Sequence, residues 1–198
     1  MGPLDPAPLL ADFRERHPAV EIQLIETTLA ETLGLLRADR LDLCFAFCDP
    51  TTAGEGVTGE RLFDEELAVM VAPGHPLAGR TRVRLTALAE EPLVGFLRGS
   101  SLGQALDEAL RQAGASVRVA YESNEIATVR ALTARGLGVT VLPRSFASVP
   151  GPELVPIGIE PRPARVPVSI IYREGRRRPP AVETFLGAVR ESFKKARP

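Results

Sequence analysis

The run Gly99-Ser100-Ser101-Leu102-Gly103 has the form of a nucleophile elbow, in which a serine on a tight strand-to-helix turn attacks a carbonyl carbon. Such a serine needs a histidine base later in the chain. The two histidines, His17 and His75, both precede it, and each sits in a turn-forming His-Pro pair. Ser101 is therefore read as a helix cap or a ligand-binding hydroxyl. Gly54-Glu55-Gly56-Val57-Thr58-Gly59 spells a dinucleotide fingerprint, but Leu62 and Phe63 lead into a strand where a phosphate-binding helix would have to begin. Cys44 and Cys48 lie at even spacing on one strand-like run, which puts both side chains on one face but too far apart to bridge; they read as buried free thiols. With no zinc spacing and no phosphate-binding loop elsewhere, no catalytic residue, metal or cofactor is expected.

Three polar pairs remain, Thr27-Thr28, Ser100-Ser101 and Ser123-Asn124. Each follows a strand-like run and opens a helix-like one. Each therefore sets hydroxyl or amide groups and free backbone N–H donors at the carboxyl end of a strand, where open α/β sheets bind ligands and helix starts favour acceptors. Any one pair is equally well an ordinary cap. Three of them suggest a polar cleft, and Arg98 beside the second pair is either a counter-charge for a carboxylate or a solvent-facing loop residue.

The elements that must position these groups can be read in order. Asp5-Pro6 starts a helix with Leu9, Leu10 and Phe13 on its apolar face, ended by His17-Pro18. Val20, Ile22 and Leu24 alternate with polar residues as a half-buried strand, and Thr28 with Glu31 forms a capping box for a helix carrying Leu29, Leu33 and Leu36. Leu41 to Phe47 and Leu67 to Val71 read as strands, with a loop over Asp49 to Gly59 between them. Pro92 to Phe96 is a strand, and Ser101 with Gln104 boxes a helix that ends at Gly114. Val117 to Tyr121 is a strand; the next helix is capped at Ser123 or Asn124 and stopped by Gly136, and a strand closes at Pro143. Leu154 to Ile159 and Val166 to Tyr172 are further apolar runs, and Val182, Phe185, Leu186, Val189 and Phe193 mark a final amphipathic helix. This alternation predicts an α/β fold with largely parallel pairing.

At 198 residues and 44% hydrophobic content the chain can hold one large domain or two small lobes. A net charge of -1 gives no global attraction to nucleic acid or anionic membrane, and the Arg176-Arg177-Arg178 run beside Pro179-Pro180 reads as a solvated loop. No transmembrane run or signal peptide is seen, so a cytoplasmic setting is expected.

The ordered pieces Pro8-Leu9-Leu10-Ala11-Asp12-Phe13-Arg14-Glu15-Arg16-His17-Pro18, Leu35-Leu36-Arg37-Ala38-Asp39-Arg40-Leu41-Asp42-Leu43, Gly74-His75-Pro76-Leu77, Glu91-Pro92-Leu93-Val94 and Gly136-Leu137-Gly138-Val139-Thr140-Val141-Leu142-Pro143 closely resemble the effector-binding domain of LysR-type transcriptional regulators. The resemblance covers nearly the whole chain. It implies a fold like the type 2 periplasmic binding proteins, two α/β lobes joined by two crossovers with an effector in the cleft. Lobe I would be residues 1–72 with 168–198, and lobe II residues 73–167. The family's pocket would fall on Thr27, Thr28, Phe47, Arg98, Gly99, Ser100, Ser101, Ser123 and Asn124.

Two departures bear on that expectation. The family's domain opens with a strand that Met1-Gly2-Pro3-Leu4 is too short to supply, and its winged helix-turn-helix and linker helix are absent, as in a truncated regulatory domain. The resemblance implies a small polar or anionic effector, a homodimer or homotetramer, DNA contact only through the missing N-terminal domain, and no membrane partner. A solute-binding transport protein of the same fold is the alternative, and a serine hydrolase at Ser101 the third reading.

Overall fold

A computed structural model describes residues 5–175 and 177–194. Arg176 and the Met1–Leu4 opening therefore lie outside the described residues. The chain divides into two compact units, Met1–Phe63 with Pro167–Pro198 and Asp64–Val166. Two strands, Val57–Val71 and Arg165–Arg173, carry the chain between them.

In the first unit, helix α1 (Pro6–Arg16) is capped by the Asp5 carboxylate, which accepts from Ala7 N at 2.9 Å. Helix α2 (Leu29–Arg37) is followed by β1 (Leu43–Ala46), and β1 pairs antiparallel with β8 (Arg165–Arg173), which lies beside β2 (Val57–Val71). One apolar cluster joins Leu9 and Phe13 to Ile170, Leu186 and Val189, bringing α1 and α5 (Pro180–Lys194) together on the sheet; Phe13 meets Phe185 edge to face at 5.0 Å. A second cluster sets Leu29, Leu33 and Leu36 of α2 against Cys44, Ala46 and Ile171. Where β2 begins, Glu60 accepts from Tyr172 Oη at 3.0 Å and from Arg190 Nε at 2.7 Å. Arg178 lies 4.4 Å over the Tyr172 ring and pairs with Glu183, so this member of the basic run is engaged with the fold.

The strand expected over Val20 to Leu24 does not form. A strand is held by its neighbour, and no described residue pairs with this stretch. Unpaired, the stretch is exposed from residue 21 to 27, with Ile22 at 39%, Leu24 at 60% and Ile25 at 45%.

In the second unit the last residues of β2 form the middle of a sheet. They pair antiparallel with β6 (Thr140–Pro143) on one side and β7 (Val155–Glu160) on the other, and β7 pairs parallel with β3 (Arg82–Arg84). β4 (Pro92–Phe96) and β5 (Arg118–Ser123) pair parallel, and Val139 bridges Leu93 to join β4 to β6. That bridge needs Gly138. A β-carbon there would lie 2.2 Å from the Pro92 carbonyl oxygen, so a side chain would push the strands apart. Helices α3 (Ser101–Ala113) and α4 (Ile126–Ala134) cover the sheet, and Leu88, Leu93, Val94, Val129, Val139 and Leu142 are buried at 1% exposure or less.

Pairing is thus mixed, and the largely parallel sheet expected from alternation is corrected. Counting strands and helices does not reveal that β2 and β8 pass from one unit to the other and enter each sheet against its neighbours. β2 also starts ten residues before Leu67, so the glycine run ending at Gly59 feeds a strand directly and no phosphate-binding helix follows it.

Candidate functional site

Thr27, Thr28 and Phe47 lie in the first unit; Arg98, Gly99, Ser100, Ser101, Ser123 and Asn124 lie in the second. The second group is brought together. β4 and β5 run parallel with Phe96 opposite Ser123, and Leu97 N donates to the Ser123 carbonyl at 3.4 Å, so both strands end side by side and α3 and α4 start from that end.

The cap of α3 is Ser100, one residue before the one expected. Its hydroxyl accepts from Gly103 N at 3.0 Å and donates to the Leu97 carbonyl at 2.9 Å. Gly103 permits this closeness, since a β-carbon there would lie 2.9 Å from both the Ser100 hydroxyl and the Leu97 carbonyl. Gly99 takes φ +94° in the turn. The consequence falls on Ser101: as the first residue of α3 it is relieved of capping, and its hydroxyl has no hydrogen-bond partner among the described residues.

The cap of α4 is also displaced. Glu125 is its N-cap, without a side-chain cap bond, and Ser123 accepts from Glu125 N at 3.0 Å as the close of a turn. Asn124, exposed between them, keeps its amide unpartnered among the described residues. The turn thus presents one free hydroxyl and one free amide from neighbouring strands.

In the first unit the start of α2 is closed on itself. Thr28 N and Oγ1 donate to Glu31 Oε2 at 3.4 and 3.1 Å, Glu31 N donates back to Thr28 Oγ1, and the Thr27 hydroxyl also donates to that carboxylate. These hydroxyls, Thr27 first, hold the Glu31 carboxyl below its ordinary value, so an exposed anion occupies this helix start. Phe47 follows β1 and is half-buried.

Neither thiol is disposed for chemistry. Cys44 is buried and Cys48 half-buried, and both are free. Burial pushes Cys44 up to about 12, with the Cys48 thiol adding to the shift, and burial with the Asp49 carboxylate pushes Cys48 up to about 11. His75, in a turn of the second unit, accepts from Leu77 N and faces Glu91 at 3.5 Å. Among the described residues no three acidic, cysteine or histidine side chains gather as for a metal.

Sequence reading missed Arg130. At 4% exposure it hydrogen-bonds the carbonyls of Val149, Pro150 and Pro152 and fixes the turn before β7. Only its position one residue after the buried Val129 hints that it points inward, and an arginine in a helix is ordinarily read as solvated.

Residues 6–194 match the model of the LysR substrate binding domain family. The chain is 32% identical over 189 residues to a probable hydrogen peroxide-inducible genes activator of Mycobacterium avium, covering 92% of this chain and 59% of that protein. It is 30% identical over 188 residues to the transcriptional dual regulator GltC of Bacillus subtilis, covering 94% and 62%. The chain thus spans about three fifths of the length of these relatives. The regulatory domain of Synechocystis PCC6803 CcmR, solved in complex with 2-PG, has the same fold, with a TM-score of 0.85 at 23% identity over 95% of this chain and 90% of that one. These likenesses, to regulators, give the transport reading no support.

Proposed function

The chain belongs to the LysR substrate-binding domain family, and on that premise we propose that it senses a small polar or anionic effector for a transcriptional regulator. The observation that carries this is the junction at the ends of β4 and β5, where Ser101 and Asn124 offer unengaged groups beside the backbone donors that open α3. Ser100 and Ser123 shape that turn, Gly99 lets the backbone approach, and Arg98 supplies a counter-charge. The effector's acidic end belongs here.

The first unit offers different chemistry. Thr27 and Thr28 are held by Glu31, whose carboxylate repels a second anion and accepts from a hydroxyl or amine. Phe47 would pack against an apolar part. Binding favours the conformation that holds the effector best, and that population shift is the signal. DNA contact falls to a segment of a longer regulator outside this chain, consistent with the length of its relatives, in a homodimer or homotetramer. A cytoplasmic place fits a regulator of DNA, and no described helix is long and apolar enough to cross a membrane. The role is recognition; the unengaged Ser101 hydroxyl has no histidine base assigned to it.

A thermal-shift screen of small carboxylates and phosphates, some bearing hydroxyl or amino groups, tests this reading. Stabilisation by a hydroxy or amino acid anion supports it; a response confined to apolar or cationic compounds would overturn it.

A further inference from the structure

Among the described residues Glu65 is the only acid that is buried, at 7% exposure, and it lies at the start of the second unit. Taking a carboxylate out of water is costly unless donors meet it. One donor does, the Ser145 hydroxyl at 2.9 Å, and among the described residues no other hydrogen bond or ion pair reaches it. Burial pushes the Glu65 carboxyl up, against the pull of that hydroxyl. Packing alone does not call for an acid here, since Leu67 and Val69 on the same face of β2 are buried at 3% and 0% exposure.

The strand register shows what Glu65 stands beside. β6 pairs antiparallel with β2 and sets Pro143 opposite Leu67. Two residues further out, Ser145 therefore meets Glu65, while on the other face Arg144 faces Glu66 at 3.9 Å. β6 runs parallel to β4 through the bridge of Val139 to Leu93, as β5 does along its length. The ends of β4, β5 and β6 and the entry of β2 thus share one edge of the sheet. That edge carries Asn124, Ser101, Ser145 and Glu65 in strand order. β4 and β2 stand two strand spacings apart, about 10 Å. An acid group at the start of α3 leaves the far end of a short molecule within reach of Glu65.

We propose that Glu65 is a specificity residue for the effector, its carboxylate taking an ammonium or hydroxyl donor carried at the end remote from the acid group; this rests on the placing of the acid group at the ends of β4 and β5. Calorimetry tests it with ω-amino and ω-hydroxy carboxylates, from glycine and glycolate to 6-aminohexanoate and 6-hydroxyhexanoate, each beside the plain carboxylate of the same length. The proteins are the unmodified chain, Glu65→Gln and Glu66→Gln. The unmodified chain should prefer an amino or hydroxy member over its plain counterpart. Glu65→Gln keeps the volume and an acceptor for Ser145 but turns the second oxygen into a donor. It should bind the preferred member about tenfold more weakly and the plain carboxylate as before. Glu66→Gln alters the neighbouring pair on the other face and should change neither affinity. A Glu65→Gln variant that keeps the preference, or that weakens both compounds equally, would overturn the assignment; the second result would make Glu65 a brace for Ser145 alone. If no carboxylate in the panel binds the unmodified chain, the sensing of an anion falls and this assignment with it. Melting of each variant without ligand separates loss of binding from loss of fold.

Discussion

Arg130 holds the carbonyl of Val149 at 2.8 Å from inside the second unit, with no carboxylate beside it among the described residues. The same guanidinium takes the Pro150 and Pro152 carbonyls at 3.1 and 3.2 Å, so one buried cation replaces the partners that a sharp turn denies its backbone. Arg130→Met keeps much of the volume and strands three carbonyls. Chemical denaturation should show a loss of about 2–4 kcal/mol, with new proteolytic cleavage near Gly151.

The cap of α3 separates two adjacent serines. Ser100→Ala removes the acceptor for Gly103 N and should cost about 1 kcal/mol in thermal or urea unfolding. Ser101→Ala touches no capping bond and should leave stability within about 0.5 kcal/mol. The reverse ranking would mean that the cap lies where the spacing to Gln104 first suggests.

The thiols set an alkaline limit. Their folded values, about 12 for Cys44 and about 11 for Cys48, exceed the ordinary 9.0, so the folded state holds these protons longer than the unfolded state does. Their contribution is full below about pH 9 and is lost as pH rises through 11 to 12. Denaturation midpoints should fall over that window, and less so in Cys44→Ala/Cys48→Ala. A thiol reagent at pH 8 should reach the buried Cys44 only as the protein opens, and should modify the half-buried Cys48 first but slowly, since little thiolate is present in the native state.

Glu31 is a test of effector charge. Glu31→Gln removes the anion at the start of α2 while keeping an acceptor for Thr27 and Thr28. Calorimetry should show tighter binding of dianionic compounds, by about tenfold, and weaker binding of amino-bearing ones. Equal affinities before and after would remove Glu31 from the site.

Much of the fold is legible because its signals are local. Asp5, Thr28 with Glu31, and the leucine spacing of α3 state their helices through caps and periodicity that need no distant partner. The failures are all matters of partnership. Val20 to Leu24 alternates like a strand, but alternation cannot supply the neighbour that makes one. The direction of β2 and β8 depends on where the chain crosses between units. At the ends of β4 and β5 the polar pairs coincide with the turns that open α3 and α4, yet which serine caps is decided by the approach of Leu97 and Gly103, a contact that spacing does not encode. Arg130 is hidden for the same reason, since its partners lie some twenty residues away in a proline-rich turn.

The most direct measurement is isothermal titration of the hydroxy or amino acid anion that gives the largest thermal shift, into the unmodified chain and into Ser101→Ala. Because Ser101 carries no cap and no internal hydrogen bond, the two proteins should melt together. The variant should bind at least tenfold more weakly while its melting temperature without ligand is unchanged. Identical affinity in both proteins would contradict the placing of the effector at the ends of β4 and β5.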